Sequence, residues 1–519
     1  MTTERMRDLL VLATAASMLT AGLGHAAPDS TAEARTAARF GAVVHDRAQL
    51  RLFLEAMPKG GDLHNHLWGA PYAEDFLAWA AADGQCVTTG RKPEIVDGPC
   101  DGKDKAAAKD LGRRDPVLYN RAIDALSVRN YASGADGAAA SGHDQFFSTF
   151  GRFAASAMNN MGRMVAVTRE YAAGDHVGYV ESSANPNAVH AFGVMGQALW
   201  DGDFERTLEA LEPKLPAMIA ESRREMDVAL AEADRLQGCG PVAAQSGPCA
   251  VVMGYQPFIE RAQPPGFVFA QMVAAFALAE ADARFVGVNI VNPEDDPTSL
   301  ADYSLHMRMF QFLAARHPKV KLALHAGELT LGLTPPRDLT FHIREAVEIA
   351  GAHRIGHGVD IAYEDNAQAL LARMARDRVA VEINLTSNDV ILGVKGADHP
   401  LALYREAGVP VVLSTDDEGV SRIDMTNEYL RAVTEQGLRY ADLKALARDS
   451  LEYAFLPGDS LWATRRVPVP VPVPVPVAVA ACAKAGPVCE IFLAKSPKAT
   501  AQWKLEHDFR TFEQSVSKP

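Results

Sequence analysis

Eight short, mostly apolar runs limit what this chain can fold into more than any other feature. They lie at residues 61–66, 177–183, 251–257, 285–291, 320–325, 354–357, 379–384 and 411–415, and longer segments, many of them helical in composition, separate them. A run that is apolar on both faces suits a parallel strand covered by helices on either side. Strands alternating with helices predict an α/β fold, and eight such units predict a closed (β/α)8 barrel of the TIM type, with a doubly wound open sheet as the alternative. At roughly 150 residues per domain, 519 residues would divide into three, but one barrel with insertions can exceed ~400 residues and would occupy 58–460.

The flanks carry their own signals. Residues 1–27 read as a secretory signal peptide: Arg5 and Arg7 precede an uncharged run over 9–23, followed by the small-residue stretch Gly24-His25-Ala26-Ala27. That run is shorter than the roughly 20 residues a spanning helix needs. A secreted or periplasmic protein, free of the membrane after signal cleavage, is expected, with an uncleaved anchor as the rival. The six cysteines agree with an oxidising compartment, falling in three close pairs, Cys86 with Cys100, Cys239 with Cys249 and Cys482 with Cys489. Nearest-neighbour disulfides are the simplest pairing, and a zinc–thiolate site lacks any Cys-x-x-Cys pair.

Residues 28–57 form an N-terminal helical segment that Pro58 ends. An insertion over 72–150 follows the first strand and holds Phe146, Phe147, Phe150 and Phe153 at helical spacing. These read as helix core, or as a lid over the strand ends. Residues 461–519 make a C-terminal extension in which proline alternates with valine from 468 to 476, the pattern of a polyproline II spacer. The formal charge of −14, with no basic cluster beyond a pair such as Arg465-Arg466, argues against nucleic acid or an anionic membrane as partner.

The chemistry gathers at the ends of the strand runs. His64-Asn65-His66 ends the first; residues i and i+2 of a strand face the same way, about 6 to 7 Å apart, so both imidazoles can reach one ion. His325-Ala-Gly-Glu328 ends the fifth, Arg354-Ile-Gly-His357 the sixth and Ser414-Thr-Asp416-Asp417 the eighth. Each alone is an ordinary cap or polar strand end. In a barrel all of them open on one face, where catalytic groups of such folds collect.

With Met57-Pro-Lys-Gly-Gly-Asp-Leu-His64-Asn-His66, Glu382-Ile-Asn-Leu-Thr-Ser-Asn388 and His399-Pro400 in the same order, the chain resembles the adenosine deaminase family of the metal-dependent amidohydrolases over roughly residues 55–440. The resemblance implies one zinc ion held by His64, His66, His325 and Asp416. It implies Glu328 as proton donor to a purine, His357 as base or orienting group for the attacking water, and Asp417 as a hydrogen-bond partner of substrate and water. The implied activity is hydrolytic deamination of adenosine or a related 6-aminopurine. Another amidohydrolase reaction, or a secreted growth-factor-like binding protein on the same fold, is the alternative. A single metal is favoured because the fourth strand run, ending at Asn292, has none of the lysine that bridges two metals in binuclear relatives.

Three departures fall around the substrate's periphery. Trp68 stands where the family carries an acid toward the ribose, Asn292 where it carries a glycine close to the purine, and Glu418 where proline is common. Trp68 and Asn292 are therefore expected, with Asp417, to touch the substrate.

Overall fold

The computed structural model describes residues 30–132, 141–240, 246–463, 477–482 and 486–516. The signal expected at 1–27 and the prolines of the spacer lie outside the described residues. Eight strands follow one another as β1 (Gly60–His66), β2 (Val177–Ser183), β3 (Val252–Gln256, resuming after Pro257 as Phe258–Glu260), β4 (Asn289–Val291), β5 (Ala323–Ala326), β6 (Arg354–His357), β7 (Ala380–Ile383) and β8 (Val411–Leu413). Sequential neighbours pair in parallel: β1 with β2, β2 and β4 with the two halves of β3, and β5 through β8 in order. The bridge Val288 to Leu322 joins β4 to β5, and the bridge Asn65 to Asp416 joins the end of β8 back to β1. The ring is closed, which decides for the barrel over the open sheet. Pro257, lacking an N–H, interrupts β3 where it turns from β2 to β4; its carbonyl still accepts from the Asn289 N–H at 3.1 Å.

The N-terminal segment differs from one continuous helix. It is two, Ser30–Val43 and Arg47–Glu55, broken because Asp46 adopts extended backbone and caps the second helix, accepting from the Ala48 and Gln49 N–H groups at 3.1 Å each. Both helices dock on the C-terminal helix Pro497–Val516: Phe53 meets Phe512 edge-on at 5.3 Å, and buried Lys444 binds Glu513 at 2.6 Å and Glu33 at 3.2 Å. The insertion after β1 builds a small antiparallel sheet ordered Ile95–Val96, Cys86–Thr88, Lys105–Ala107, and then the helix Gly142–Ala157. Disulfides join Cys86 to Cys100, Cys239 to Cys249 and Cys482 to Cys489, the nearest-neighbour pairing. Among the described residues no helix is long and apolar enough to cross a membrane.

Inside the barrel a charged group holds the strands in register. Arg354 of β6 is 1% exposed. Its Nε donates to Glu382 of β7 at 2.5 Å, one terminal nitrogen donates to Glu181 of β2 at 2.6 Å, and the other to the Tyr453 carbonyl at 2.9 Å. Glu181 also accepts from the Tyr179 hydroxyl and from Gln256, each at 2.9 Å, and the ring of Phe455 lies 3.7 Å from the guanidinium. Arg354→Met would leave both carboxylates buried without their cation. It is expected to lower unfolding free energy by about 3–5 kcal/mol in urea titration; an unchanged midpoint would show that the network contributes no net stability.

Candidate metal and catalytic site

Barrel closure brings the first and last strands' functional residues together. The Asp416 N–H donates to the His64 carbonyl at 2.8 Å and the His66 N–H to the Asp416 carbonyl at 3.1 Å, so the backbone ladder itself sets the carboxylate beside the two imidazoles. Asp416 sits at φ +60°, His357 at +70° and Asn292 at +79°. Left-handed backbone costs a non-glycine residue of order 1 kcal/mol or more and is concentrated at functional sites. Asn292 thus takes the conformation that a glycine adopts freely.

The four predicted ligands converge. His64 Nε2 lies 3.1 Å from His325 Nε2 and 3.4 Å from His66 Nε2; His66 Nε2 is 3.2 Å from His325 Nε2. Asp416 Oδ1 lies 3.5 Å from His64 Nε2 and 3.3 Å from His66 Nε2. Donors about 2.0–2.1 Å from a tetrahedral ion stand roughly 3.3–3.4 Å from one another, which is the spacing observed. In neutral rings the Nε2 atoms of His64 and His325 are left as lone-pair donors. His64 Nδ1–H is committed to Glu382 at 2.6 Å and His325 Nδ1–H to Asn289 Oδ1 at 2.8 Å. That end of the Asn289 amide is its oxygen, because the Ile290 N–H donates to it at 2.7 Å while Nδ2 donates to Ser183. Ring lone pairs and a carboxylate aimed at one point repel one another unless a cation lies between them. The donor set of three neutral imidazoles and one carboxylate fits zinc. Gly356 makes room for it: a Cβ there would come within 2.6 Å of the His64 ring.

Around this cluster stand the groups expected to do chemistry. Glu328 is buried, its Oε1 without a hydrogen-bond partner and 3.5 Å from His357 Nδ1. Burial pushes its carboxyl well above the usual carboxylate range, the neighbouring Asp416 charge adds to this, and Arg261 opposes it. The turn carrying it is gripped by Glu294, which accepts the Gly327 and Glu328 N–H groups at 3.1 and 2.8 Å and His342 Nδ1 at 2.6 Å. Although burial works to raise it, Glu294 is held at about 2, chiefly by Arg261 and His342.

The tautomer of His357 follows from a chain of hydrogen bonds. The Leu401 N–H can only donate, so His399 Nδ1 accepts from it at 3.2 Å and His399 carries its proton on Nε2. That proton goes to Asn388 Oδ1 at 3.0 Å, and Asn388 Nδ2 then donates to His357 Nδ1 at 2.9 Å. His357 therefore bears its hydrogen on Nε2, which is buried and unpartnered; burial lowers its pKa to about 3, keeping the ring neutral. Asp417 Oδ1 is likewise buried without a partner, and only the missing side chain of Gly69 lets it pack there.

All of the expected site residues border one cavity or its metal cluster. The cavity, about 570 Å3, is lined by His66, His325, Glu328, His357, Asp416 and Asp417 at its floor and by Trp68, Asn292, Phe146, Phe147, Phe150 and Met158 at its sides. His64 stands behind it, completing the four-donor cluster. Of the insertion's phenylalanines, Phe153 packs wholly inside, stacked on Phe76, as the helix-core reading expects, while Phe146, Phe147 and Phe150 line the cavity. Glu382, Asn289, Glu294, Asn388 and His399 support the site, but no role for them was legible beforehand. Only their place in motifs, or at a strand end, could have flagged them.

A closed eight-strand barrel thus presents at its strand ends a four-donor cluster that could hold a metal ion. Residues 258–463 match the family model described as adenosine deaminase. An adenosine deaminase of Salmonella schwarzengrund is 38% identical over 155 residues, 30% of this chain and 43% of that protein, and one of Shewanella loihica is 39% identical over 146 residues, 28% and 41% respectively. The matched stretch thus spans about two fifths of the length of these curated relatives. The crystal structure of an adenine deaminase from Arthrobacter aurescens superposes with a TM-score of 0.50 at 18% identity, covering 77% of this chain and 94% of that one, in agreement with the barrel. Over residues 258–463 the chain is thus similar to the adenosine deaminase family.

The orienting contacts can be tested apart from any activity. Asn289→Ala removes the acceptor that holds the His325 ring and is expected to weaken zinc binding about 10–100-fold in competition with a chromophoric chelator; unchanged affinity would mean that His325 is not a ligand.

Proposed function

We propose that this protein is a secreted or periplasmic zinc-dependent hydrolase that converts adenosine, or a related 6-aminopurine compound, to its 6-oxo product and ammonia. The observation that carries this reading is the placement of a buried, unpartnered Glu328 carboxyl and a neutral His357 in the same cavity as the four-donor cluster. His64, His66, His325 and Asp416 would hold the zinc, whose Lewis acidity makes water nucleophilic near neutral pH.

The remaining roles belong to the chain. Water adds across the C6–N1 bond of the purine: its oxygen goes to C6, and the electron pair displaced onto N1 must be met by a proton. Glu328, kept neutral by burial, is placed to give that proton. His357, with hydrogen on Nε2 and little basicity, would orient the attacking oxygen by donating to it rather than by removing a proton. Asp417 would accept a hydrogen bond through its free Oδ1. The proton that the water loses on attack would be taken up at Asp417 Oδ1 and passed to the 6-amino nitrogen; the C6–N bond then breaks and ammonia leaves, N1 keeps the proton it received, and the C6 hydroxyl gives its proton to Glu328 as the 6-oxo group forms.

The three disulfides support an oxidising compartment, in keeping with the signal peptide expected at 1–27. The 6-oxo product is expected from at least one of adenosine, deoxyadenosine, adenine and N6-substituted aminopurines given in turn to the zinc-loaded protein, with ammonia released from the unsubstituted compounds and the corresponding amine from the N6-substituted ones. Glu328→Gln is expected to lower kcat by about 10²–10⁴ at unchanged zinc content. Failure to turn over any of these compounds would overturn the reading.

A further inference from the structure

We propose that Glu260, at the C-terminal end of β3, forms with His190 a subsite for the hydroxyl groups of a sugar, so that the substrate is a nucleoside rather than a free base; this rests on the deaminase reading above. Glu260 lines the cavity and is built to be rigid. Its Oε1 accepts from His190 Nδ1 at 2.8 Å and from Gln271 Nε2 at 3.1 Å, and its N–H donates to Gln271 Oε1 at 2.8 Å. Gln271 is fully buried, and the Glu260 side chain is 19% exposed. Glu260 Oε2 has no protein partner among the described residues. A largely buried carboxylate in a cavity wall, with one oxygen uncommitted, is an acceptor waiting for donors, and a vicinal diol supplies two.

Its position on the rim matches where a sugar must lie. Glu328 follows β5, Asn292 follows β4 and Glu260 ends β3, so the three stand on consecutive strands spaced about 4.8 Å apart. Along one edge of a purine, N1, N3 and N9 also come in order. With C6 at the metal cluster and N1 against Glu328, N3 turns toward Asn292 and the N9 substituent toward Glu260. Trp68, at the position where the family resemblance implies an acid toward the sugar, lines the same cavity. A bare purine leaves most of the 570 Å3 cavity empty. The acid missing at position 68 is thereby supplied from β3.

The test pairs a change in the protein with a change in the ligand, using the zinc-loaded full chain. Removing the hydroxyls from the ligand, as in 2′,3′-dideoxyadenosine, is expected to lower kcat/KM relative to adenosine by about ten- to a hundred-fold. Glu260→Gln should lower kcat/KM for adenosine by a similar factor and bring the two compounds within about two-fold of each other. Thermal unfolding and zinc content of the variant check that it is folded, and the ligand comparison on the unaltered protein needs no variant at all. Losses that multiply instead of overlapping, or an unaltered enzyme that prefers adenine to adenosine, would overturn the proposal while leaving the deaminase reading intact. Should no purine be turned over, that reading falls, and calorimetry of inosine against hypoxanthine decides the subsite separately: tighter inosine binding erased by Glu260→Gln supports it, and equal binding overturns it.

Discussion

The hydrogen bonds between Asp416 and the backbone of His64 and His66 close the barrel and assemble the metal cluster in the same act. Every other feature of the site presupposes them. Without that closure Asp416 would sit at a free sheet edge, and the carboxylate would have no reason to lie within 3.5 Å of two imidazoles from the other end of the chain. With it, four donor atoms share a point that like partial charges would otherwise avoid. The left-handed backbone at Asp416 and His357 shows the cost of aiming them there, a local penalty that the surrounding barrel sustains.

A second layer ties this cluster to the stability of the fold. Glu382 accepts from His64 on one oxygen and from Arg354 on the other, and Arg354 in turn holds Glu181 on the far side of the barrel. The carboxylate that orients a ligand is therefore also half of a buried ion pair. Metal affinity and folding free energy are coupled through it, so a cation that binds only the folded chain adds stability in proportion to its affinity. The same economy recurs on β4 and just beyond it: Asn289 orients His325 while Glu294 grips the turn that carries Glu328.

Much of this was legible in the amino-acid sequence because strand periodicity and strand-end motifs are local signals. The eight runs all became barrel strands, and His64, His66, His325 and Asp416 meet as expected because parallel barrel strands deliver their C-terminal ends to one rim. What escaped is what depends on register between strands. Nothing local to Glu382 says that it faces both Arg354 and His64, and nothing local to His399 says that a backbone N–H two residues on fixes the tautomer of His357 through Asn388. The break at residues 44–46 escaped for a different reason: helix composition is continuous across it, and one aspartate's capping geometry decides the matter. The phenylalanines of the insertion were ambiguous because one helix can turn Phe153 into the core and Phe147 toward the cavity.

The central claim is that three imidazoles and one carboxylate from strands far apart in the chain grip a single zinc ion. X-ray absorption at the zinc edge of the purified full chain tests it most directly. The account predicts one zinc per chain in a four-coordinate shell of nitrogen and oxygen donors at about 2.0–2.1 Å, with the multiple-scattering signature of three imidazoles. Substoichiometric zinc, or a shell without histidine, would contradict it.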